Sequence, residues 1–281
     1  MSYLSTNAEP PFVFDFDEMK EKGLERAAAY ASADPFPHVV IDDFLPGAVA
    51  EMCLNRFPAA PDPDSFSFDR DQERFKTSYH PDYLHPEVRA LFYAFNSRPF
   101  IRFVENITGI RGLIADHYFL GGGFHEIRTG GHLSVHADFN HHKPLGLERR
   151  VNLLIYLNKD WSADHGGQLE LWRPDMSARA QSIVPGFNRC AIFTTTGESM
   201  HGNPEPVAHP AGVSRKSIAL YYYTATWDET KTGRTTQFRA RPESEDKVDW
   251  LVRNNEFIND FVPPALARSI FRIKRKLDSR R

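Results

Sequence analysis

Cysteine is scarce in this chain of 281 residues, which has only Cys53 and Cys190. The two lie far apart and outside any Cys-x-x-Cys pattern, so the sequence offers no disulfide framework. This usage is typical of a protein in the reducing cytoplasm, which is where we expect this one. Each cysteine is expected to be a small buried hydrophobe rather than a nucleophile.

Long hydrophobic runs and a strong charge imbalance are also missing. No stretch resembles a transmembrane span, and the first eleven residues lack the basic and apolar regions of a secretory signal. The net charge of −3 gives no reason to expect nucleic-acid binding. With 41% hydrophobic and 25% charged residues, the composition indicates a soluble globular protein of one large or two small domains.

Hydrophobic periodicity predicts helices followed by short strands. Helical spacing indicates a peripheral helix near Phe16–Ala31, then helices at Gly47–Phe57, Pro86–Ser97 and Pro99–Thr108. Residues 59–83 lack sustained periodicity and are predicted to form a long loop over the core. From Gly112 onward, short strands between Gly, Pro and Asn predict a sandwich, barrel or jelly roll, hence an α+β domain with helices packed on one sheet. These strands are predicted at Leu113–Leu120, Phe124–Arg128, His132–Ala137, Arg150–Leu157, Gln168–Trp172, Ala180–Ile183, Cys190–Thr194 and Ser217–Thr226.

One predicted strand carries two potential metal ligands. The stretch from Gly131 to Asn140 alternates apolar and polar residues, as a half-buried strand does. His136 and Asp138 are two positions apart, so their side chains project from the same face. An imidazole and a carboxylate are two of the three ligands of the two-histidine, one-carboxylate facial triad that binds Fe(II). The third ligand has to come from elsewhere in the chain.

His201 is a candidate for that third ligand. It follows a strand that ends near Thr195, and Gly202 and Pro204 restrict the turn after it. This position suits the mouth of a β-barrel, where ligand sites are common. A turn histidine exposed to solvent is the alternative interpretation.

Arg215 begins the last predicted strand and shares one face of it with Ser217 and Tyr221. A guanidinium that faces the interior needs an anion, because an unpaired buried charge is costly. A ligand carboxylate would meet that need through a bidentate pair. Lys216 faces the opposite way, and periodicity alone leaves open which of the two faces inward.

The order His136-x-Asp138, His201, Arg215 resembles the Fe(II)- and 2-oxoglutarate-dependent oxygenases of the prolyl 4-hydroxylase-like superfamily. The resemblance runs from about Pro37 to Thr226 and includes blocks similar to the oxygen-sensing prolyl hydroxylases of animals. These blocks are Arg150–Trp161, Gly166–Trp172, Ile183–Arg189 and Arg215–Tyr222. It implies a double-stranded β-helix core (jelly-roll, cupin-like) with supporting N-terminal helices. The expected domains are a peripheral helix at 1–36, the oxygenase domain at 37–227 and a C-terminal extension at 228–281.

The resemblance also implies roles for individual residues. His136, Asp138 and His201 would bind iron. Arg215 would bind the distal carboxylate of 2-oxoglutarate, with Tyr156 reaching the same group and Asn152 at a neighbouring inward position.

One departure from the family concerns the substrate. The animal hydroxylases have a tyrosine ten positions before the first iron ligand, where this chain has Glu126. Glu126, Arg128 and His132 are therefore our candidate substrate contacts. The polar wall around the substrate is expected to differ from theirs.

The implied reaction uses Fe(II), 2-oxoglutarate and O2, with ascorbate as a possible accessory, and releases succinate and CO2. Asp138 argues that this protein is not a halogenase, because the halogenases of this superfamily have a small residue at that position. Hydroxylation is favoured, and desaturation or ring closure stays open. The substrate would be a peptidyl or free amino acid, proline first, or a small metabolite. A non-catalytic protein that binds 2-oxoglutarate or a partner on the same fold is the alternative, but the intact triad and Arg215 favour the enzyme.

The C-terminal extension begins with a polar segment after Thr226 that is predicted to wrap the barrel. A helix is predicted at about 246–261, before a tail in which Arg268–Arg281 carries seven Lys or Arg and one Asp. We interpret the tail as a solvated helix, the alternative being contact with an anionic membrane or a carrier protein. The sequence leaves the oligomeric state open.

Overall fold

The computed structural model describes residues 1–63 and 65–246. Apart from Asp246, the predicted C-terminal helix and the basic tail lie outside these residues. The described helices are α1 (Phe16–Ala31), α2 (Gly47–Asn55), α3 (Pro86–Phe95) and α4 (Arg98–Thr108). None of the helices in the described part of the chain is long and apolar enough to cross a lipid bilayer.

The described strands follow and interleave with these helices. They are β1 (His38–Ile41), β2 (Phe66–Arg70), β3 (Glu73–Tyr79), β4 (Ile114–Ala115), β5 (Gly123–Ala137), β6 (His141–His142), β7 (Leu147–Tyr156), β8 (Leu169–Trp172), β9 (Arg179–Ile183), β10 (Cys190–Thr194), β11 (His201–Asn203), β12 (Arg215–Thr224) and β13 (Gln237–Phe238).

The strands form one curled antiparallel sheet. Its main path is β1-β10-β7-β12-β5-β11-β8-β9, and β13 and the β2–β3 hairpin attach to β5. The short strands β4 and β6 pair with β12 and β7. This arrangement is a double-stranded β-helix, which confirms the predicted fold class.

Helix α1 packs closely against α4. A Cβ atom on Gly23 would lie 2.6 Å from the backbone oxygen of Phe103, so a larger residue would push the helices apart. Met19 and Tyr30 of α1 are buried in the main core. The side chain of Asp15 caps the helix by accepting a hydrogen bond from the backbone N–H of Glu18. The N-terminal helix is therefore less peripheral than predicted.

The central strands β7 and β12 separate two environments. Their outward side chains join the aromatic core beneath the helices, whereas their inward side chains face a cavity, as the alternation along a strand requires. The outward set includes Val151, Leu153, Ile155, Ile218, Leu220 and Tyr222. The inward set includes Asn152, Leu154, Arg215, Ser217 and Tyr221.

The structure corrects four predictions of secondary structure. The predicted loop at 59–83 contains the β2–β3 hairpin, and β3 pairs with β5. Strand β5 is one long strand where two were predicted, and the strand predicted at Leu113–Leu120 is reduced to β4. The polar segment after Thr226 adds β13 beside His136. Strand β2 has no buried residue, and the buried residues of β3 are mostly polar (Glu73, Thr77 and Ser78), so neither strand has the alternating apolar pattern that predicts a strand.

Candidate active site

Three side chains of the metal-binding type, two buried and one partly buried, meet at one end of the cavity. His136 of β5 lies directly opposite His201 of β11, and Asp138 follows the end of β5. The carboxylate oxygens of Asp138 lie 3.5 Å from Nε2 of His136 and 3.4 Å from Nε2 of His201. One ligand atom from each residue lies within 4.8 Å of the others, and no other such group occurs among the described residues.

Backbone carbonyls determine which ring nitrogens face the cavity. Nδ1 of His136 lies 2.9 Å from the carbonyl oxygen of Ser134, and Nδ1 of His201 lies 2.9 Å from that of Ser199. Because a carbonyl can only accept, each Nδ1 carries the hydrogen and each Nε2 presents its lone pair to the centre. Burial, and then the charge of His201, lower the pKa of His136, which favours its neutral, ligating form.

Asp138 is held by two neighbours from β7. The guanidinium of Arg149 lies 3.1 Å from Oδ2, and the Asn152 amide donates to the same oxygen at 2.8 Å. Burial would raise the pKa of Asp138, but Arg149 and then His201 outweigh it and hold that pKa well below its usual range. The carboxyl group is therefore an anion.

At the other end of the cavity, Arg215 is buried without a carboxylate. It is 4% exposed, its Nε–H donates to the carbonyl oxygen of Gly167 at 2.7 Å, and its guanidinium carbon lies 5.0 Å from the ring centre of Tyr156. No Asp or Glu of the described residues forms an ion pair with it, and burial lowers its pKa. The buried Tyr156 hydroxyl lies beside the guanidinium but makes no hydrogen bond of normal geometry. Two adjacent buried donors without an acidic partner are what an anion-binding site offers.

Lys216 faces away from this cavity. Its Nζ lies 3.6 Å from Oε1 of Glu126 and donates to Oγ of Ser214 at 2.5 Å. The sequence left open whether Arg215 or Lys216 faces inward, and this geometry decides the question. Arg215 is the inward cation.

The cavity between the two ends is small, with a volume of about 90 Å³. Among its lining residues are four to which the sequence interpretation gave no role in the site: Lys76, His125, Asn203 and Tyr221. Lys76 comes from the hairpin that was predicted as a loop. The amide nitrogen of Asn203 is buried and has no hydrogen-bond partner among the described residues.

Arg149 was also missed, and a β-bulge explains why. Val151 pairs with Tyr222, but Tyr223 pairs with Arg149, so Arg150 is an extra residue on β7. Simple alternation would put Arg149 on the outward face with Val151. The bulge turns it inward, and such re-aiming is a common effect of bulges next to active sites. An alternating pattern read from sequence contains no signal for this shift.

The structure does not bring the three predicted substrate residues into the cavity. On β5 the inward residues are His125 and Ile127, so Glu126 and Arg128 face the other side. Glu126 accepts hydrogen bonds from Tyr79 and Ser214 there. His132 contacts the backbone oxygen of Asp71 in the hairpin turn. Their contact with substrate stays a prediction.

Comparison with known proteins agrees with this geometry. Residues 122–256 match the 2OG-Fe(II) oxygenase superfamily. This segment is a 2OG-Fe(II) oxygenase domain. The resemblance to the Fe(II)- and 2-oxoglutarate-dependent oxygenases that was found in the sequence is therefore confirmed.

Curated relatives match a short part of the chain. This chain is 35% identical over 82 residues to Egl nine homolog 1 of Rattus norvegicus. Those 82 residues are 29% of this chain and 23% of the relative. The Homo sapiens protein is also 35% identical over 82 residues, which is 18% of its length. The match thus spans less than a quarter of either relative.

A solved structure matches more of the chain. It is the "prolyl hydroxylase in complex with hypoxia inducible factor oxygen degradation domain peptide fragment from Trichoplax adhaerens". The two share a TM-score of 0.52 at 17% identity, over 77% of this chain and 95% of that one. At this identity the likeness shows a common fold.

Proposed function

We propose that this protein is an Fe(II)- and 2-oxoglutarate-dependent dioxygenase that hydroxylates an unactivated C–H bond. The observation that carries the proposal is one cavity with a His-Asp-His cluster at one end and an unpaired buried arginine at the other. His136, Asp138 and His201 would hold Fe(II). Arg215 and Tyr156 would hold the distal carboxylate of 2-oxoglutarate.

The donor set fits Fe(II). Two neutral imidazole nitrogens and one carboxylate oxygen form the set that non-haem Fe(II) oxygenases use, and it leaves coordination positions for other ligands. The Nδ1 hydrogen bonds of His136 and His201 orient both rings before any ion binds. The Arg149 ion pair keeps Asp138 ionised.

The other end fits a dicarboxylate. Nε of Arg215 is engaged by a backbone carbonyl, which leaves the two terminal nitrogens of the guanidinium for a bidentate pair. Burial raises the pKa of Tyr156 to about 12, so its hydroxyl keeps the hydrogen that it would donate. A bound carboxylate would satisfy both groups at once.

When bound, Fe(II), 2-oxoglutarate and O2 supply the oxidant, and 2-oxoglutarate yields succinate and CO2. The chain contributes orientation and a partly dry cavity, whose apolar wall includes Ile127, Leu154 and Leu169. Ascorbate would act as an accessory reductant.

We propose a peptidyl or free amino acid, proline first, or a small metabolite as the substrate. The support is the likeness of the fold to one protein named as a prolyl hydroxylase in complex with a peptide fragment. A cytoplasmic location is proposed from the two unpaired, buried cysteines. The domain boundaries at 36 and 227 stay predictions.

Succinate release tests the proposal. Protein supplied with Fe(II), 2-oxoglutarate and air is expected to form succinate slowly, and faster with a suitable proline-containing peptide or metabolite. Asp138→Ala should form none, whereas Asp175→Ala, which removes an exposed carboxylate, should match the wild type. Binding of 2-oxoglutarate without any succinate from the wild type would instead support the non-catalytic alternative.

A further inference from the structure

The two oxygens of the Asp138 carboxylate have different surroundings. Oδ2 lies 2.8 Å from the Asn152 amide nitrogen and 3.1 Å from a terminal nitrogen of Arg149. Among the described residues, both the amide donor and the guanidinium donor of this carboxylate reach Oδ2. Each oxygen also lies near a histidine nitrogen that presents a lone pair: Oδ1 is 3.5 Å from Nε2 of His136, and Oδ2 is 3.4 Å from Nε2 of His201. One oxygen is therefore engaged by the protein and the other is free of such donors.

The two donors are themselves fixed. Nε and a terminal nitrogen of Arg149 both donate to Oδ1 of Asn152, at 3.1 and 2.7 Å. The guanidinium carbon lies 3.6 Å from the ring centre of Tyr221 and 4.4 Å from that of Phe139. Arg149 is 3% exposed, so this position is rigid and largely dry. Arg149, Asn152 and Asp138 form a closed triangle of contacts, which we call the carboxylate clamp.

We propose that Arg149 and Asn152 are positioning residues that make Asp138 a one-oxygen metal ligand. This inference rests on the proposed Fe(II)/2-oxoglutarate function. A free carboxylate can bind a metal through one oxygen or through both. If both bound, the metal would lose a position that 2-oxoglutarate needs. The clamp prevents this by keeping Oδ2 in hydrogen bonds to the protein.

The charge of Arg149 supports a positioning role over a gain in metal affinity. A guanidinium beside the ligating carboxylate repels an incoming cation and competes for the carboxylate's charge. A site selected only to bind metal tightly would be better without it. Loss of the clamp is therefore expected to preserve metal binding and to weaken the binding of 2-oxoglutarate.

Co(II) and 2-oxoglutarate, added in turn to the full-length protein without oxygen, test the proposal. Two variants open the clamp: Arg149→Gln, and Asn152→Ala, which leaves the net charge unchanged. The matched control is Arg150→Gln, because Arg150 is the neighbouring half-buried arginine and bonds to Thr224 instead. Visible absorption of bound Co(II) measures metal affinity and reports changes in coordination. Calorimetry on the Co(II) protein measures the 2-oxoglutarate dissociation constant.

In both clamp variants we expect the Co(II) dissociation constant to stay within about threefold of the wild type or to become smaller. The 2-oxoglutarate dissociation constant should rise at least about tenfold, or about 1.4 kcal/mol, because the second carboxylate oxygen would occupy a position that 2-oxoglutarate needs. The Co(II) spectrum should change as the second carboxylate oxygen binds. Because Asn152→Ala removes no charge, its effect cannot come from weaker attraction of the dianion. Arg150→Gln should change none of these values.

Two results would overturn the clamp while leaving the proposed function in place. One is unchanged 2-oxoglutarate affinity in both variants. The other is a parallel loss of Co(II) and 2-oxoglutarate binding in Asn152→Ala, which would show a merely structural role. A wild-type protein that binds neither probe would overturn the proposed function itself. Thermal unfolding of each variant shows whether it is folded, and Arg149→Lys replaces Arg149→Gln if that variant is not.

Discussion

Each end of the cavity contains a buried arginine, and the two arginines differ in whether they have an acidic partner. At one end, Asp138 neutralises Arg149, and although burial opposes the charge, the carboxylate raises the pKa of Arg149. At the other end, Arg215 is equally buried, faces no carboxylate among the described residues and has a lowered pKa. The first arginine is satisfied within the chain. The second is available to a ligand.

This difference separates a structural charge from a functional one. A buried cation without an anion destabilises the ligand-free protein, and a bound anion would reverse that cost. An arginine that already has its carboxylate gains nothing from an added anion. Arg149 and Arg215 thus have different roles in the same cavity because they have different partners.

Removal of the carboxylate from the first end should have the largest effect. Asp138→Ala is expected to abolish 2-oxoglutarate turnover, a loss greater than the roughly 100-fold that removal of a supporting group causes. It should also cost about 3 kcal/mol in the free energy of unfolding, because Arg149 loses its buried partner. Succinate assays and urea unfolding measure the two effects. A folded variant with full activity would exclude the assigned triad.

At the second end, Arg215→Ala should raise the 2-oxoglutarate requirement at least roughly tenfold, or about 1.4 kcal/mol, as expected for the loss of a charge-assisted pair. The KM for 2-oxoglutarate is the measurement. Lys216→Ala is the matched control, because this neighbouring cation faces Glu126. If Lys216→Ala raised the KM instead, the assignment of the inward cation would be wrong.

Between the two ends, His125 should make stability depend on pH. Burial, and then the charge of Lys76, lower the pKa of His125 to about 3 from 6.5. Below pH 6.5 the His125 side chain binds a proton in the unfolded chain but not in the folded one. The free energy of unfolding therefore falls progressively as the pH is lowered. This histidine contributes up to about 1.4 kcal/mol per pH unit. Urea unfolding from pH 7.5 to 5 should therefore show a smaller slope for His125→Asn than for the wild type.

Equal slopes in the variant and the wild type would show that His125 takes up its proton as readily in the folded state as in the unfolded one.

The smallest effect is expected from Tyr156→Phe. Loss of one hydroxyl donor should weaken 2-oxoglutarate binding by about 1 kcal/mol, close to fivefold. The ligand-free protein should be as stable as the wild type or slightly more so, since the hydroxyl makes no normal hydrogen bond there. Binding and thermal unfolding measured side by side test both parts. A variant that loses stability without losing affinity would place this hydroxyl in the core rather than in the ligand site.

The sequence predicted the groups that regular strand geometry brings together. His136 and Asp138 are two apart, so alternation placed them on one face. Alternation also placed Arg215 on one face with Ser217 and Tyr221, and the resemblance to known oxygenases favoured Arg215 over Lys216 as the inward cation. The same resemblance favoured His201 as the third ligand. His136 and Arg215 lie on buried strands, and Asp138 directly follows the strand of His136.

The missed features depend on irregular or long-range pairing. Arg149 turns inward because of a bulge, and Lys76 reaches the cavity on an edge hairpin that lacks an alternating pattern. Neither the bulge nor the hairpin produces a periodic pattern of apolar residues in the local sequence. Glu126 illustrates a different limit, because the family's tyrosine at that position suggested an inward side chain, whereas this residue lies between the inward His125 and Ile127.

An anaerobic absorption measurement tests the central claim most directly. Metal-free protein is mixed with Fe(II) and 2-oxoglutarate and then exposed to oxygen. We predict the weak visible charge-transfer band of an iron-bound 2-oxo acid, absent from Asp138→Ala, followed by loss of the band and release of succinate. A wild-type protein that binds Fe(II) but shows neither band nor succinate would contradict the account.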